Sequence, residues 1–455
     1  MLGTSLKIVS NHPNPRLQFP WNSLQIGLLV FAISPFVGAV AIILAALLGW
    51  LREARTIVRR PLNQGFALLS LLLIITAGFA VNKTDAFLGL FNLIPYFLVF
   101  AGLSSLIHTI AQLRQLAWIL VIGSVPVVIL GFGQLFWGWA LKLQFLWIVI
   151  DWEIAPGGEP PGRMAANFMH ANILAAYLAI VFTLALGLWL EQWHAEMKKL
   201  KVKSQNAKNS RVLTFNWQFL SSPLCFLTLT AIANFAALIL TNSRNGWAIA
   251  IIACLAYALY QGWRILVGGF AGIVTSVLLA AFAPPPIAQI FRHIVPAFFW
   301  ARLNDEMYPD RPVALMRKTQ WEFAWNLAQQ HPWTGWGLRS FSALYKTKMN
   351  IDLGHPHNLF LMLSAETGFP TTALFCGLLI WVLIAGIQFL RQSSYLAKAD
   401  RLILFSYLLV LGEWMLFNSV DVTLFDFRVN TISWLLLAAI CGVVFTHKKV
   451  IENKA

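Results

Sequence analysis

The chain has 455 residues, of which 58% are apolar and 11% charged, and its formal net charge is +15. The strongly positive mean hydropathy excludes the soluble multidomain proteins that this length would otherwise suggest. The cations gather in short segments between apolar runs and form no basic stripe interleaved with aromatics, so the charge does not point to a nucleic acid partner.

Apolar runs recur from Leu24 to Phe445, and at about twenty residues each is long enough as a helix to cross a hydrocarbon core of about 30 Å. Alternating strands of the barrel type are absent, so the expected fold class is all-α, a polytopic integral membrane protein. Pro20 leads into a run longer than a signal segment, which predicts an uncleaved first span, with Lys7 and Arg16 before it. Spans are expected at 22–34 and 36–51, a short pair hinged at Pro35, then at 65–81, 87–109, 115–137, 168–190, 217–240, 246–262, 265–283, 357–390, 402–423 and 427–446. The total is about twelve, or eleven if the first pair is one tilted helix. Cys225, Cys254, Cys376 and Cys441 fall within these spans without a C-x-x-C pair, and read as small packing residues.

The basic segments LREARTIVRR, residues 191–216, Arg264, RQSSYLAKADR and the tail HKKVIENK all fall on one side of this alternation. The positive-inside rule makes that side cytoplasmic and places the C-terminus there, in a plasma membrane. Residues 1–283 then hold the first nine helices with a basic cytoplasmic loop near 191–216, residues 284–356 form a large outward loop, and 357–455 carry the last three helices. The segment 138–167 and the turn TNSRNG at 241–246 face outward as well. Loops of more than about 15 residues are usually functional or disordered, and the aromatic and charged content of 284–356 favours a folded loop.

The candidate chemistry lies on that outer face. Arg244 stands at a helix–helix turn beside Trp247, either as an interfacial anchor or as a site cation. Arg163 precedes a span, either snorkelling to headgroups or facing a cavity, and Asn167, His170 and Asn172 follow it into the membrane. RPVALMRKTQWEFAWNLAQQHP reads as an amphipathic helix with Pro312 in its first turn and Pro332 past its end. Arg317, Trp321 and Trp325 share one stripe of it, and the helix either lies on the membrane or forms a lid. His357 and Asn358 open a span whose free N–H groups and dipole suit a phosphate, and a histidine there can exchange a proton near neutral pH. The plainer reading of His357 is a helix cap. Glu366 lies nine residues further on, roughly 13 Å along the axis, and is expected to pair with a neighbouring helix, while Gly368-Phe-Pro lets the span bend.

The chain lacks a Gly-Lys-Ser/Thr phosphate loop, an Asp-x-Asp pair, His-Glu-x-x-His and Gly-x-Ser-x-Gly. What remains, separated arginines and a histidine at a helix start, suits a large anion such as a lipid diphosphate.

The spacing His357-Asn358, then Gly368 and Thr371, resembles the signature of the O-antigen ligase and polymerase superfamily. Arg163 with Asn172, Ser243-Arg244 with Trp247, Arg317 before Trp321, then Pro332 and Gly335-Trp336-Gly337 agree with it in order, from about residue 65 to the last span. The resemblance implies a metal-independent, inverting glycosyltransferase without cofactor. Its donor would be a polyprenyl-diphosphate-linked glycan and its acceptor a hydroxyl of a glycolipid, a glycan or a protein, at the periplasmic face of the membrane. By the same resemblance Arg244 and Arg317, assisted by Arg163, bind the donor diphosphate, and His357 orients or deprotonates the acceptor, with Asn358, Asn172 and Trp321 in support. The ligase form is closer than the polymerase form. Two rivals stay open: a transporter of a small anion such as bicarbonate, using Asn167, His170, Asn172, Glu366, Glu413, Asp421 and Asp426, and a non-catalytic scaffold.

Overall fold

The computed structural model describes residues 11–145, 148–206, 222–304, 306–307, 310 and 312–452. Lys7, residues 207–216 of the expected basic loop, 217–221 of an expected span and the last three residues of the tail lie outside them.

Two helices open the chain, α1 (Gln18–Phe31) and α2 (Pro35–Arg59), and Pro35 starts the second, where its missing N–H is not needed. α3 (Pro61–Gly78) follows directly. The span expected over 87–109 is broken into α4 (Lys83–Gly89), a 3-10 turn at Leu90–Asn92 and α5 (Ile94–Ser104), because Pro95 cannot supply an interior helix hydrogen bond. α6 (Ile110–Phe136) begins at a Thr109–Gln112 capping box. An antiparallel hairpin comes next, β1 (Leu141–Phe145) and β2 (Ile148–Ile154), with Leu141 opposite Ile154 and Lys142 opposite Glu153. Among the described residues this hairpin is the one sheet, so the expected all-α class holds.

α7 (Ala171–Asn206) runs far past the expected end of its span, so the predicted loop near 191–216 is helical through Asn206. It starts after His170, which places Asn167 and His170 in the turn before the helix and not in its first turns. α8 (Pro223–Leu240), α9 (Arg244–Gln261) and α10 (Arg264–Phe282) complete the first part of the bundle. The segment 284–356 folds into α11 (Pro285–Ile294), α12 (Ala297–Leu303), α13 (Arg317–Gln330) and α14 (Ser340–Met349). The bundle closes with α15 (Leu359–Gln392), α16 (Lys398–Asn418) and α17 (Phe427–Glu452).

Among the described residues nine helices are long and apolar enough to cross a membrane, α4 and α5 together counting as one. The protein is a multi-pass membrane protein, but the expected twelve spans are not supported. α1 has only 14 residues, about 21 Å. α9 begins with Arg244 and Asn245, and α16 spends its opening turn on Lys398, Asp400 and Arg401.

Small residues let the helices approach closely. A Cβ on Gly102 of α5 would lie 2.4 Å from the Ala46 carbonyl of α2, so only glycine permits that crossing. α7, α9 and α16 are tied in mid-bundle: the Thr183 hydroxyl donates to Glu413 at 2.8 Å, and the Tyr257 hydroxyl lies 2.8 Å from the Thr183 carbonyl and 2.7 Å from Ser406 Oγ. At the far end Arg114 of α6 bridges Glu191 of α7 at 2.7 Å and Asp400 of α16 at 2.6 Å. These ties hold the helices whose opposite ends carry Asn172, Arg244 and the turn that follows α16.

The soluble segment has its own core. Phe323, Ala324 and Leu327 of α13 pack with Phe341 and Tyr345 of α14 and Ala365 of α15. The helix starts at Arg317, and Pro312 instead precedes a separate 3-10 turn, Val313–Leu315. Its buried face is therefore the one bearing Phe323, while Trp325 stays 45% exposed against Phe369. Glu366 also departs from expectation. It does not pair with a spanning helix; its Oε1 accepts the Phe341 N–H at 3.1 Å, at the positive end of α14. Gly368 bends α15 as expected, with φ 77° and ψ 166°.

Candidate functional site

The site is assembled from chain segments that meet at one end of the bundle. A turn before α7 supplies Arg163, and the first turn of that helix supplies Asn172. The α8–α9 turn supplies Asn242, Ser243, Arg244 and Asn245, and Ser243 caps α9 by accepting the Gly246 N–H. α12 contributes Arg302, α13 opens with Arg317, and His357 stands just before α15. Together with Met307 and Asp310 these side chains line a cavity of about 590 Å³, within the range of small-molecule sites. Four of them are arginines, against one lining carboxylate, so the cavity is set up for an anion.

The arginines are positioned by the backbone around them. Arg163 Nε donates to the Thr241 carbonyl at 2.8 Å, and Arg317 Nη1 donates to Asn245 Oδ1 at 3.4 Å. Arg244 donates to the Arg302 carbonyl. Arg302 in turn donates to Asn242 Oδ1 at 3.3 Å and to its carbonyl at 3.1 Å, with its guanidinium 5.2 Å from the Phe298 ring. The α8–α9 turn and α12 are thereby locked to each other through their cations.

A hydrogen-bonded chain crosses the wall behind the cavity. Arg163 Nη2 donates to Asn172 Oδ1 at 2.6 Å, and Asn172 Nδ2 donates to Asp421 Oδ2 at 3.0 Å. Asp421 Oδ1 lies 3.0 Å from His357 Nδ1 and also accepts the Val422 N–H at 2.9 Å. Arginine has only donors and an ionised carboxylate only acceptors, so the chain has one consistent polarity. His357 Nδ1–H donates to Asp421, and in the neutral imidazole Nε2 then carries the lone pair.

Burial pushes the Asp421 carboxyl up, but the His357 hydrogen bond and charge, His355 and the Val422 N–H outweigh it and hold it below the usual aspartate value. Burial, then the neighbouring His357, pushes His355 down to about 4. His170 also lies below the ordinary histidine value, through burial first and the charge of Arg163 second. The His357 backbone is left-handed, φ 51°, uncommon for a residue with a side chain, and its N–H donates to His355 Nδ1 at 3.2 Å. Asn358, not His357, is the cap of α15, accepting the Leu361 N–H at 3.0 Å.

Of the residues singled out in the sequence, Arg163, Asn172, Arg244, Arg317 and His357 meet at the cavity; Asn358 and Trp321 do not line it. Asn167 is buried between helices, donating to the Ala32 carbonyl at 2.8 Å. Sequence reasoning missed Arg302 and the role of Asp421 as the partner of His357. The polar run around Arg244 was a signal for Asn242 and Asn245; Arg302 had only an aromatic run, FFWAR, before it.

Fold and cavity define a multi-pass membrane protein with an arginine-rich cavity at one end of its helical bundle. Residues 229–376, from α8 into α15, match the family model described as O-Antigen ligase. The matched region holds Arg244, Arg302, Arg317 and His357; Arg163, Asn172 and Asp421 lie outside it. No curated protein matches the chain.

Proposed function

We propose that this protein transfers a glycan from a polyprenyl-diphosphate donor to an acceptor hydroxyl of a glycolipid, a glycan or a protein, with inversion at the anomeric carbon. The reading is carried by the convergence of Arg163, Arg244, Arg302 and Arg317, from four separate segments, with His357 on one cavity. The donor diphosphate sits among the guanidiniums, whose planar forks match phosphate oxygens. His357 Nε2 takes the acceptor proton as the acceptor oxygen bonds to the anomeric carbon. The bond from that carbon to the diphosphate oxygen breaks, and the leaving group departs with the electron pair. Negative charge grows on the leaving diphosphate, so arginines already in place lower the barrier by several kcal/mol, on the order of what one preorganised donor contributes elsewhere. Asp421 holds the imidazole in the required tautomer and stabilises the imidazolium that forms.

The cavity end faces outward in this reading. Arg52, Arg55, Arg59, Lys198, Lys199, Arg264, Arg391 and Arg401 all lie toward the other end of the helices, which the positive-inside rule assigns to the cytoplasm.

The test uses purified protein in lipid vesicles with a radiolabelled polyprenyl-diphosphate glycan and candidate acceptors. His357→Ala abolishes transfer while retaining donor binding, and Arg244→Ala weakens both. Activity near wild type in both variants would overturn the mechanism.

A further inference from the structure

Next to the proton-accepting nitrogen lies a second histidine that the transfer reaction does not use. His355 is separated from His357 only by Pro356, and the two rings meet edge to face with centroids 4.6 Å apart. His355 Nδ1 accepts the His357 N–H, and among the described residues no hydrogen-bond partner stands at its Nε2. One donor atom each from His355, His357 and Asp421 lies within 4.8 Å of the other two. Asp421 is only 4% exposed, and its place in the turn after α16 is fixed by hydrogen bonds from the Val422 N–H and the Asn172 amide.

We infer that His355, His357 and Asp421 form a site for a divalent transition metal of the zinc class, and that the bound metal switches glycan transfer off. Two imidazoles and one carboxylate are a familiar three-ligand set for zinc with one position left open. With bonds of about 2.0–2.2 Å, tetrahedral coordination places ligand atoms about 3.3 Å apart. The His357–Asp421 pair at 3.0 Å already stands near that spacing, so only His355 must draw in. Two nitrogen donors and a single carboxylate favour zinc, cobalt, nickel or copper over magnesium and calcium, which prefer oxygen. The fourth position is left for water or for an oxygen of a bound anion, and of the three ligands His357 lines the cavity.

The metal takes the place of the proton between His357 Nδ1 and Asp421, and that proton moves to Nε2, so the neutral imidazole binds through Nδ1 and no longer offers a lone pair to the acceptor hydroxyl. His357 is then held by the metal and loses the carboxylate that stabilises its protonated form. The switching-off rests on the transferase reading; the metal binding does not.

The experiment uses the full chain in nanodiscs, stripped with a chelator and titrated with Co²⁺ alone, read by the visible d–d absorption of the bound ion. Wild type saturates at one Co²⁺ per chain, Zn²⁺ displaces it, and His355→Ala weakens binding by more than about tenfold. His355→Cys keeps a metal ligand and restores binding with an added sulfur-to-cobalt charge-transfer band, which separates ligand loss from misfolding. Absence of the d–d band in wild type, or a band unchanged in His355→Ala, overturns the site. In vesicles that carry out transfer, saturating Zn²⁺ stops it and a chelator restores it; unimpaired transfer by zinc-loaded protein overturns the switch. Failure of the metal-free protein to transfer any glycan, with cobalt binding intact, overturns the transferase reading and leaves the metal site standing.

Discussion

Replacing Asp421 by asparagine tests the chain behind the cavity most directly, because its polarity leaves a neutral amide no satisfactory orientation. If the introduced amide keeps its oxygen toward His357 Nδ1 and the Val422 N–H, its nitrogen meets Asn172 Nδ2, donor against donor. If Asn172 flips to relieve this, its nitrogen meets Arg163 Nη2, which can only donate. Every arrangement loses one hydrogen bond and the negative charge that stabilises the imidazolium. A hydrogen bond to a charged group contributes about 1.5–3 kcal/mol, so the chemical step slows by about 10- to 150-fold. Donor affinity stays within about threefold of wild type, because Asp421 does not line the cavity. The assay is single-turnover transfer of a radiolabelled polyprenyl-diphosphate glycan in vesicles, with donor binding measured separately. Transfer within about threefold of wild type, while His357→Ala is inactive, would refute the account of the dyad.

Arg302→Lys removes a planar fork from the cavity wall and weakens donor binding by about tenfold or more, seen as a raised KM with kcat less affected. Glu366→Ala leaves the Phe341 N–H of α14 without its acceptor, a loss of about 1–3 kcal/mol that appears as a lower unfolding temperature, whereas Glu366→Gln retains an acceptor oxygen and loses less. Gly368→Ala forces a Cβ to 2.5 Å from the Trp333 carbonyl group at a φ of 77°; it destabilises the protein by on the order of 3 kcal/mol, measured by the same thermal scan. His170 and His355 both ionise less readily in the folded protein than in the unfolded chain. Their contribution to stability is therefore fully present above a pH of about 6.5 and declines as pH falls below it, for His355 as far as about 4. His170→Gln flattens that decline in thermal unfolding measured with a chelator present.

Hydropathy made most of the bundle legible, because a lipid-spanning helix must be apolar throughout its length. It failed where other physics decides. Pro95 breaks a run that reads as continuous, and the pairing of Leu141–Phe145 with Ile148–Ile154 lies in a segment read only as an outward loop. The charges of Arg244, Lys398, Asp400 and Arg401 leave α9 and α16 outside the helices that qualify as spans by composition. At the site, Arg163, Arg244, Arg317 and His357 were legible because a cation or imidazole beside an apolar run demands an explanation. Asp421 was not: 64 residues separate it from His357, and in sequence it is one acid among several near the span ends. Glu366 was found as a buried carboxylate, but its partner, the backbone of α14, comes from a loop whose fold the sequence pattern does not specify.

The mid-bundle contact among Thr183, Tyr257, Ser406 and Glu413 and the far-end bridge from Arg114 to Glu191 and Asp400 also decide how the protein meets its bilayer. α7 and α16 are fastened at both heights, so neither can change tilt alone when the hydrocarbon layer thins or thickens. α3 and α10 bury little of their surface against the bundle and are free to take up the mismatch, which costs only fractions of a kcal/mol per Å. The cavity wall borne by α7 and the end of α16 therefore keeps its dimensions in membranes of different thickness, while the periphery of the protein adapts to the lipid around it.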